Sequence, residues 1–378
     1  MKILYLTKYT RLAGSSRMRS YQYFPYLEEA GMQVTVQPFF DNAYLKDFYA
    51  GKKNIRAVVK SYVKRLGVLF SVFSYDRVVI EKEIFPFLPT FAEWMLKRLG
   101  IQYIVDYDDA IFHNYDQSSN PIIKKFLANK IAKVMRFSGT VVAGNQYLAD
   151  YATRSGAKNI EIIPTVIDLE RYPVKNSDSD LELPPNVILS GVEGRTGERS
   201  ESKDNQKLVV GWIGTKTTFE KHLLPCKDWI KALQIQDPNI RFHIVGITED
   251  MDLGKNVQYI RWTEETEVAE ILKMDIGLMP LQDSKWEKGK CAYKLIQYAA
   301  CGIPGVASDV GMNREVTVPG ETGVLASADE EWIQAIKTLK SNTELRHQMG
   351  RNARKKVEER YCIQQTSTKW KKILNREA

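Results

Sequence analysis

The chain contains 378 residues, 44% hydrophobic and 26% charged, which is the composition of a soluble globular protein and a length that favours two domains. Lys and Arg number 54 against 46 Asp and Glu, and the location of this mild +8 excess matters more than its size. The four cysteines lack a CxxC pair and the four histidines are scattered, so the sequence does not suggest a zinc site. A reducing cytoplasmic compartment fits this cysteine usage best.

The amino terminus MKILYLTKYT lacks the features of a signal peptide, and no stretch reaches the ~18 apolar residues that span a bilayer. We therefore expect a cytoplasmic protein, with contact at the inner face of the membrane left open.

Short strand-like runs alternate with amphipathic stretches along both halves of the chain. The first half contains KILYL, QVTVQPFF, RVVIEK, YIVDY, TVVAG and IEIIP, and the second contains KLVVGWIG, IRFHIVG, VQYIRW, DIGLMP and PGVAS. This alternation predicts an α/β protein with two doubly wound, Rossmann-like domains that face a central cleft. We expect domains at 1–175 and 208–360, a polar linker with an exposed loop at 176–207, and a terminal helical segment at 361–378.

After the first predicted strand, the sequence LTKYTRLAGSSRMRSY combines small and basic residues. Gly14, Ser15 and Ser16 are interpreted as a turn that a ligand could approach closely, with Arg17 and Arg19 opening the next helix. Exposed surface arginines without a ligand are an equally good interpretation.

An acidic cluster, DYDDAIFHN, follows the strand YIV. Asp106 and Asp108 form a D-x-D pattern that can hold a divalent ion. We favour a different interpretation, in which Asp108 or Asp109 is a polar group near a bound substrate, either a sugar or the molecule that would accept it. A helix cap is the structural alternative, and the lone His113 is interpreted as structural.

The stretch GWIGTKTT joins a strand to a helix in the second half. Gly214 permits a tight turn, and Thr215 and Lys216 lie where they could contact a phosphate. The sequence matches neither the dinucleotide fingerprint nor the P-loop, so a purely structural turn remains an equal alternative.

The segment KGKCAYKLIQYAACGIP predicts a helix that begins at a glycine and ends at Gly302. Lys290, Lys294 and Gln297 are spaced i, i+4, i+7 and would form one polar stripe. At the amino end of a helix such lysines favour a diphosphate, and Gln297 could bind a vicinal diol such as a ribose. Solvated lysines on a half-exposed helix are the alternative.

Two basic amphipathic segments lie in the first half. One is LKDFYAGKKNIRAVVKSYVKRLGVLFSVF and the other is IIKKFLANKIAKVMRF. They predict contact with an anionic membrane surface; the alternative is that their apolar faces cover the sheet. No nucleic-acid-binding motif accompanies the charge.

The stretches GKCAYKLIQYAACGIPGVASDVGMNREVTVPGETGVLA, IIPTVIDLERY and GWIGTKTT resemble family 4 glycosyltransferases of the GT-B fold. The resemblance implies a retaining transfer from a nucleotide-sugar to a glycan acceptor, in bacterial cell-surface polysaccharide or glycoconjugate assembly. The basic amphipathic segments of the first half are consistent with an acceptor that is lipid-linked. It implies no metal or other cofactor, an acceptor site in the first domain, and a last helix that returns to that domain. Many members carry two glutamates where this chain has Gly289 and Gln297, so it resembles a subgroup with a lysine pair and glutamine.

From the residues and the resemblance together we predict three groups of site residues. The catalytic residues are Asp109, Lys290 and Lys294. The donor-binding residues are Gly214, Thr215, Lys216, Lys290, Tyr293, Lys294 and Gln297. The diphosphate or acceptor loop contains Gly14, Ser15, Ser16, Arg17, Arg19 and Asp108. A non-catalytic nucleotide-sugar or glycan-binding protein of the same fold is the main alternative, and a nicotinamide-dependent oxidoreductase is disfavoured because the glycine-rich fingerprint is missing.

Overall fold

A computed structural model of the chain describes residues 1–175 and 207–376. The predicted linker 176–207 lies outside the described residues except for Lys207. The chain divides into two compact units: Met1–Val166 with Lys288–Cys291 and Ile363–Ala378, and Ile167–Glu287 with Ala292–Cys362. The division between the units thus falls at Val166 rather than at residue 175, and a short internal segment, Lys288–Cys291, groups with the first unit.

The first unit is built on a six-stranded parallel sheet in the order β2-β1-β3-β4-β5-β6. Its strands are β1 (Lys2–Leu6), β2 (Gln33–Val36), β3 (Arg77–Glu81), β4 (Tyr103–Tyr107), β5 (Thr140–Ala143) and β6 (Ile160–Ile162). Strands β3, β4 and β5 are almost entirely buried, as expected for a parallel sheet with helices on its faces.

Nine helices connect or flank these strands within the described part of the first half. They are α1 (Gly14–Arg19), α2 (Phe24–Glu28), α3 (Asn42–Tyr49), α4 (Ile55–Leu69), α5 (Phe91–Arg98), α6 (His113–Asp116), α7 (Pro121–Leu127), α8 (Lys130–Phe137) and α9 (Gln146–Arg154). Short polar side chains cap several of them; the Asn54 oxygen, for example, accepts from the Ala57 amide at the start of α4.

The second unit repeats the plan with a parallel sheet in the order β12-β11-β10-β7-β8-β9. Its strands are β7 (Leu208–Ile213), β8 (Ile240–Val245), β9 (Val257–Ile260), β10 (Ile276–Met279), β11 (Gly305–Ser308) and β12 (Gly323–Ala326). The later helices are α10 (Lys216–Thr218), α11 (Lys227–Gln236), α12 (Glu267–Leu272), α13 (Lys285–Lys288), α14 (Tyr293–Ala300), α15 (Asn313–Val316), α16 (Asp329–Ser341), α17 (Thr343–Arg360) and α18 (Ile363–Asn375). The prediction of two doubly wound, Rossmann-like parallel sheets is confirmed.

Each unit has its own aromatic core. In the first, Trp370 of α18 packs near Tyr5 and Tyr23, and the Tyr23 hydroxyl lies 2.8 Å from the hydroxyl of Thr366. In the second, Trp229 and Trp332 stack with ring centroids 5.6 Å apart. The final helix α18 is therefore part of the core of the first unit.

None of the helices in residues 1–175 and 207–376 combines the length and the apolar composition that a bilayer-crossing helix needs.

Candidate functional site

In the first unit, a lysine and two aspartates meet at the carboxyl edge of the sheet. Lys82 follows β3, and Asp108 and Asp109 follow β4. The Lys82 ammonium lies 2.9 Å from Oδ1 of Asp108 and 4.0 Å from Oδ2 of Asp109. Lys82 has a φ of 71°, a left-handed conformation that is uncommon outside glycine. Sequence reasoning did not identify Lys82 as a site residue, because RVVIEK predicts a strand that ends at this lysine. The charged triplet EKE at the end of that strand is the signal that could have identified it.

The three charges set one another's ionisation. Burial is the largest single influence and would raise the pKa of Asp108, but the charges of Lys82 and Arg19 together with hydrogen bonds to the carboxylate outweigh it, and the pKa falls below aspartate's ordinary value. Burial and the neighbouring Asp108 carboxylate raise the pKa of Asp109. The Asp109 side chain is 31% exposed, whereas that of Lys82 is almost entirely buried. Asp109 is therefore the member of the cluster that both reaches solvent and ionises least readily.

Arg19 and Asp106 form a buried ion pair under this edge. Arg19 Nε donates to Asp106 Oδ2 at 2.9 Å, its Nη2 pairs with Oδ1, and its Nη1 donates to the Ile163 carbonyl at 2.8 Å. Both side chains are excluded from solvent. The interpretation of Arg19 as an arginine in a ligand-binding loop is wrong in this respect, because its guanidinium is committed to Asp106 in the interior.

The predicted turn at Gly14–Ser16 is also wrong, because these residues form the first turn of α1. The Ser16 hydroxyl donates to the Glu81 carboxylate at 2.8 Å in the interior. A Cβ placed on Gly14 would meet no atom within 4 Å, so close packing does not require glycine there. Arg17 is buried, whereas Gly14 is exposed and Ser15 half-buried.

The segment Lys288–Cys291 lies against the carboxyl edge of the first sheet. The Asn145 amide, which also caps α9, donates to the carbonyls of Gly289 at 3.0 Å and Lys290 at 3.1 Å. The Cys291 thiol donates to the Asp108 carbonyl at 3.1 Å. Lys290 is half-buried here and its charge favours ionisation of Asp109.

The predicted stripe of Lys290, Lys294 and Gln297 on one helix is therefore wrong. Helix α14 begins at Tyr293, because Ala292 adopts a left-handed conformation with a φ of 50° and breaks the helix there. Lys290 precedes that break and groups with the first unit, whereas Lys294 and Gln297 group with the second. Those two share a helix face at i, i+3 spacing.

At the amino end of α14, Lys294 is half-buried and its ammonium lies 5.4 Å from the centroid of the Trp212 ring on β7. This distance permits a cation–π interaction. The first backbone N–H groups of a helix have no partner within the helix, so this end attracts an anion. Lys294 adds a formal charge to that position.

Gln297 lies one turn further along α14 and is 2% exposed. Its amide nitrogen donates to the Tyr172 hydroxyl at 3.1 Å, and that hydroxyl donates to Glu267 Oε1 at 3.0 Å. The Trp262 indole donates to Glu267 Oε2 at 2.7 Å. Sequence reasoning missed Tyr172 and Glu267; the former lies in IIPTVIDLERY, so the stretch was noticed but not this side chain.

The turn after β7 is closely packed. A Cβ on Gly214 would lie 2.5 Å from the Trp212 ring, so glycine is sterically required. Thr215 caps α10, and its hydroxyl accepts from the Thr218 amide. Lys216 is exposed and forms an ion pair with Glu249 at 2.8 Å. The geometry supports a structural role for Gly214 and leaves Lys216 at a solvent-facing helix start.

The two predicted basic segments differ in structure. Along α4 and at the residue that follows it, five apolar side chains are 47–79% exposed and form what we call the α4 apolar stripe: Ile55, Val59, Val63, Leu66 and Phe70. Exposed basic residues flank it: Lys52, Lys53, Arg56, Lys60 and Lys64. The idea that apolar faces cover the sheet therefore fails for α4. Arg65 does not belong to this surface, since it is buried and donates to the Thr7 carbonyl at 2.8 Å.

The second segment divides into α7 and α8. On α7, Ile122 and Phe126 are exposed beside Lys124 and Lys125. The apolar face of α8 is buried, and Lys130 forms a buried ion pair with Glu83. Only α7 extends the exposed basic and apolar character of α4 among the described parts of this segment.

Comparison with known proteins places this fold in a family. Over 276 residues the chain is 31% identical to N-acetyl-alpha-D-glucosaminyl L-malate synthase of Bacillus anthracis, which covers 67% of this chain and 70% of that protein. Residues 199–356 match the family described as "Glycosyl transferases group 1". The chain belongs to this family. It is a glycosyltransferase.

Solved structures show the same GT-B fold at lower sequence identity. Sucrose-phosphate synthase from Thermosynechococcus elongatus is 14% identical with a TM-score of 0.68, over 99% of this chain and 98% of that one. Anabaena Alr3699/HepE in complex with UDP-glucose is 15% identical with a TM-score of 0.66, over 99% of each chain. The predicted GT-B fold is confirmed.

Proposed function

We propose that this protein is a retaining, family 4-type glycosyltransferase that moves a sugar from a nucleotide-sugar donor to a glycan acceptor. The observation that carries the proposal is the amino end of α14, where Lys294 lies over Trp212 and adds its charge to the helix dipole. A diphosphate has several oxygens for such donors. The relative from Bacillus anthracis, named N-acetyl-alpha-D-glucosaminyl L-malate synthase, supports this assignment.

The chemistry requires charge stabilisation on the leaving group. The bond from the anomeric carbon to the diphosphate oxygen breaks, the acceptor hydroxyl oxygen bonds to that carbon, and the hydroxyl proton leaves to a base. Negative charge grows on the departing diphosphate as an oxocarbenium-like sugar forms. Preorganised donors at that charge are typically the largest catalytic contribution, and we assign this role to Lys294 and the α14 amides, with Lys290 as a further cation.

The second unit would bind the rest of the donor. We propose that the Gln297 amide contacts a ribose hydroxyl, that Tyr293 lines the same site, and that Gly214, Thr215 and Lys216 form a phosphate-side turn. Because cationic side chains are available for the diphosphate, we propose that no divalent ion is needed. Within residues 1–175 and 207–376, no cluster of three His, Cys, Asp or Glu residues has metal-binding geometry.

The first unit would bind the acceptor. Asp109 is the exposed carboxyl beside the Lys82–Asp108 pair, and its raised pKa suits a group that accepts a proton or hydrogen bond from a hydroxyl. We propose Asp109 as the group that contacts the acceptor hydroxyl, with Asp108 positioned behind it by Lys82.

We further propose that the acceptor is lipid-linked and is used in bacterial cell-surface polysaccharide or glycoconjugate assembly. The α4 apolar stripe and its flanking lysines support this proposal, because an amphipathic helix with exposed apolar and basic residues can lie in a headgroup layer. Such contact would place the first unit beside a membrane-anchored acceptor.

The proposal is tested with a panel of nucleotide-sugars. We expect one of them to raise the melting temperature of the protein, since a ligand stabilises the state that binds it. Release of the nucleoside diphosphate in the presence of an acceptor extract, and the anomeric configuration of the product, then separate an enzyme from a binding protein. Binding without turnover for every acceptor extract would contradict the proposed activity, and an inverted product would contradict retention.

A further inference from the structure

Gln297, Tyr172, Glu267 and Trp262 form a buried chain of hydrogen bonds in the second unit, with heavy-atom distances of 3.1, 3.0 and 2.7 Å between successive members. Gln297, Tyr172 and Glu267 are all buried. Three of the four lie in different parts of the sequence, so the fold brings them together. Buried polar groups that are fully partnered rigidify their surroundings, whereas a broken network is costly.

The chain has a direction that chemistry imposes. The Trp262 indole can only donate, and the oxygens of the Glu267 carboxylate accept from it and from Tyr172. Tyr172 therefore donates its single hydroxyl proton to Glu267, and its oxygen is left as an acceptor. Groups that face this oxygen from α14 must donate a proton. The Gln297 amide nitrogen does so, and the Tyr293 hydroxyl, which also hydrogen-bonds to Tyr172, is a second such donor. Burial and the Glu267 carboxylate also raise the pKa of Tyr172 well above its ordinary value, so the phenol keeps its proton.

This direction disfavours a carboxylate at position 297. A glutamate there would face an oxygen whose proton already goes to Glu267, and two carboxylates would compete for one phenol. Like charges close together in the interior are destabilising. The glutamine that stands where the family resemblance implies glutamate therefore fits Tyr172 and Glu267.

The same chain orients Gln297 for a ligand. Among residues 1–175 and 207–376, the Gln297 side chain hydrogen-bonds through its nitrogen alone. With the nitrogen held by Tyr172, the amide oxygen is fixed as an acceptor on the other side of a planar group. A ribose hydroxyl is a donor of suitable chemistry.

We infer that Tyr172 and Glu267 are positioning residues that fix the Gln297 amide so that its oxygen accepts a hydrogen bond from a ribose hydroxyl of the donor, and that they determine glutamine rather than glutamate at position 297. The ribose part of this inference rests on the proposed function; the network itself does not.

An exchange of the two end groups tests the network without any ligand. Gln297→Glu alone should lower the melting temperature by about 4 °C or more, the size of shift that a lost buried interaction produces in a domain of this size. The double variant Glu267→Gln with Gln297→Glu again places one amide and one carboxylate on Tyr172, so its melting temperature should recover most of the loss. If the melting temperature of the double variant falls by as much as the falls of the two single variants added together, the end groups are not coupled, and this result would overturn the network.

Nucleotide binding tests the orientation of Gln297. The probes are UDP, GDP and ADP with their 2′- and 3′-deoxy forms, measured by calorimetry. For the tightest binder we expect a ribose preference of about 3- to 10-fold, the range of a neutral hydrogen bond. Tyr172→Phe should reduce that preference to below about 2-fold while the deoxy form binds as before. An undiminished preference in Tyr172→Phe would overturn the positioning role.

Tyr298→Phe is the matched control. Tyr298 is the buried neighbour of Gln297 on α14, but its hydroxyl accepts from the Ile213 amide and donates to the Leu278 carbonyl instead. Its loss should leave the ribose preference unchanged; an equal fall in both variants would assign the effect to general loosening of α14 and overturn the inference. If none of the nucleotides binds the unmodified protein, the proposed function fails, and the exchange experiment still decides whether the network exists.

Discussion

The Lys82 ammonium lies 2.9 Å from the Asp108 carboxylate, and both side chains are nearly excluded from water. The two residues follow neighbouring strands, β3 and β4, at the same edge of the sheet. Each charge is tolerated in the interior because of the other, and Asp109 lies at the open side of the pair. This pair therefore links the stability of the first unit to its proposed acceptor group.

Removing the lysine should destabilise the protein strongly. Lys82→Met leaves the Asp108 charge buried without its partner, and breaking a buried pair in this way typically costs about 3–5 kcal/mol. Urea unfolding measures the loss, and the double variant Lys82→Met with Asp108→Asn should regain a large part of it. A single variant as stable as the unmodified protein would show that Lys82 does not neutralise Asp108.

Lys294→Ala should reduce turnover at least ~100-fold with folding unchanged, as expected for loss of a donor to the leaving diphosphate. Steady-state kinetics with the preferred nucleotide-sugar measures this. Lys216→Ala is the comparison. Although we place Lys216 in the phosphate-side turn, its side chain is exposed and paired with Glu249, so the effect should be much smaller. Near-normal turnover in Lys294→Ala would assign Lys294 to a solvated helix face.

The pH dependence of kcat/KM should report Asp109. A base must be deprotonated, and burial beside Asp108 raises the pKa of Asp109. Activity should therefore be full at pH values above the pKa of Asp109. It should fall as the pH drops through that pKa, which lies above aspartate's usual value near 3.9. Asp109→Asn should lose most of its rate and also this acidic limb. An acidic limb that persists in the variant's residual activity belongs to another group.

Activity should survive treatment with a chelator. The reason is the lysine and helix amides proposed for the diphosphate, which replace the charge that a bound ion would supply. Nucleoside diphosphate release before and after EDTA measures the outcome. Loss of activity that magnesium or manganese restores would assign Asp106 and Asp108 a metal-binding role.

Binding to anionic liposomes should be salt-sensitive and should need both parts of the α4 surface. Replacing Lys52, Lys53, Lys60 and Lys64 with Glu removes the attraction, at about 1 kcal/mol for each basic residue near the surface. Replacing Ile55, Val59 and Phe70 with Ser removes apolar contact without changing charge, and Ile235→Ser is the control because Ile235 is an exposed apolar residue of the second unit. Flotation of vesicles measures binding. Unmodified protein that stays unbound at low salt would contradict the membrane proposal.

The fold class of both units follows from local signals in the sequence. β-branched runs such as RVVIEK and TVVAG alternate with longer amphipathic stretches, and this pattern suffices for a doubly wound α/β fold. The end of α14 after Ala300 was likewise accessible, since the effect of Gly302 acts within a few residues.

The parts that sequence reasoning missed depend on contacts between distant residues. Helical spacing alone joined Lys290 to Lys294, because nothing local shows that Ala292 takes a left-handed conformation. Arg19 looked like a surface arginine because its partner, Asp106, lies far along the chain. Glu267 carries no motif, and Tyr172 is only the last residue of IIPTVIDLERY. The role of both is visible only when the fold places them beside Gln297.

Gly289 packs so closely on Ala110 that a Cβ on residue 289 would lie 2.9 Å from the Ala110 backbone nitrogen. Glycine and glutamate codons can differ by a single base, so mutation can readily supply the glutamate that the family resemblance implies at this position. Backbone atoms cannot rotate aside as a side chain does, so such a mutant would have to shift the segment after Asp109. A glutamate at position 289 would therefore need several coordinated changes. Laboratory evolution toward that glutamate should first select changes at Ala110.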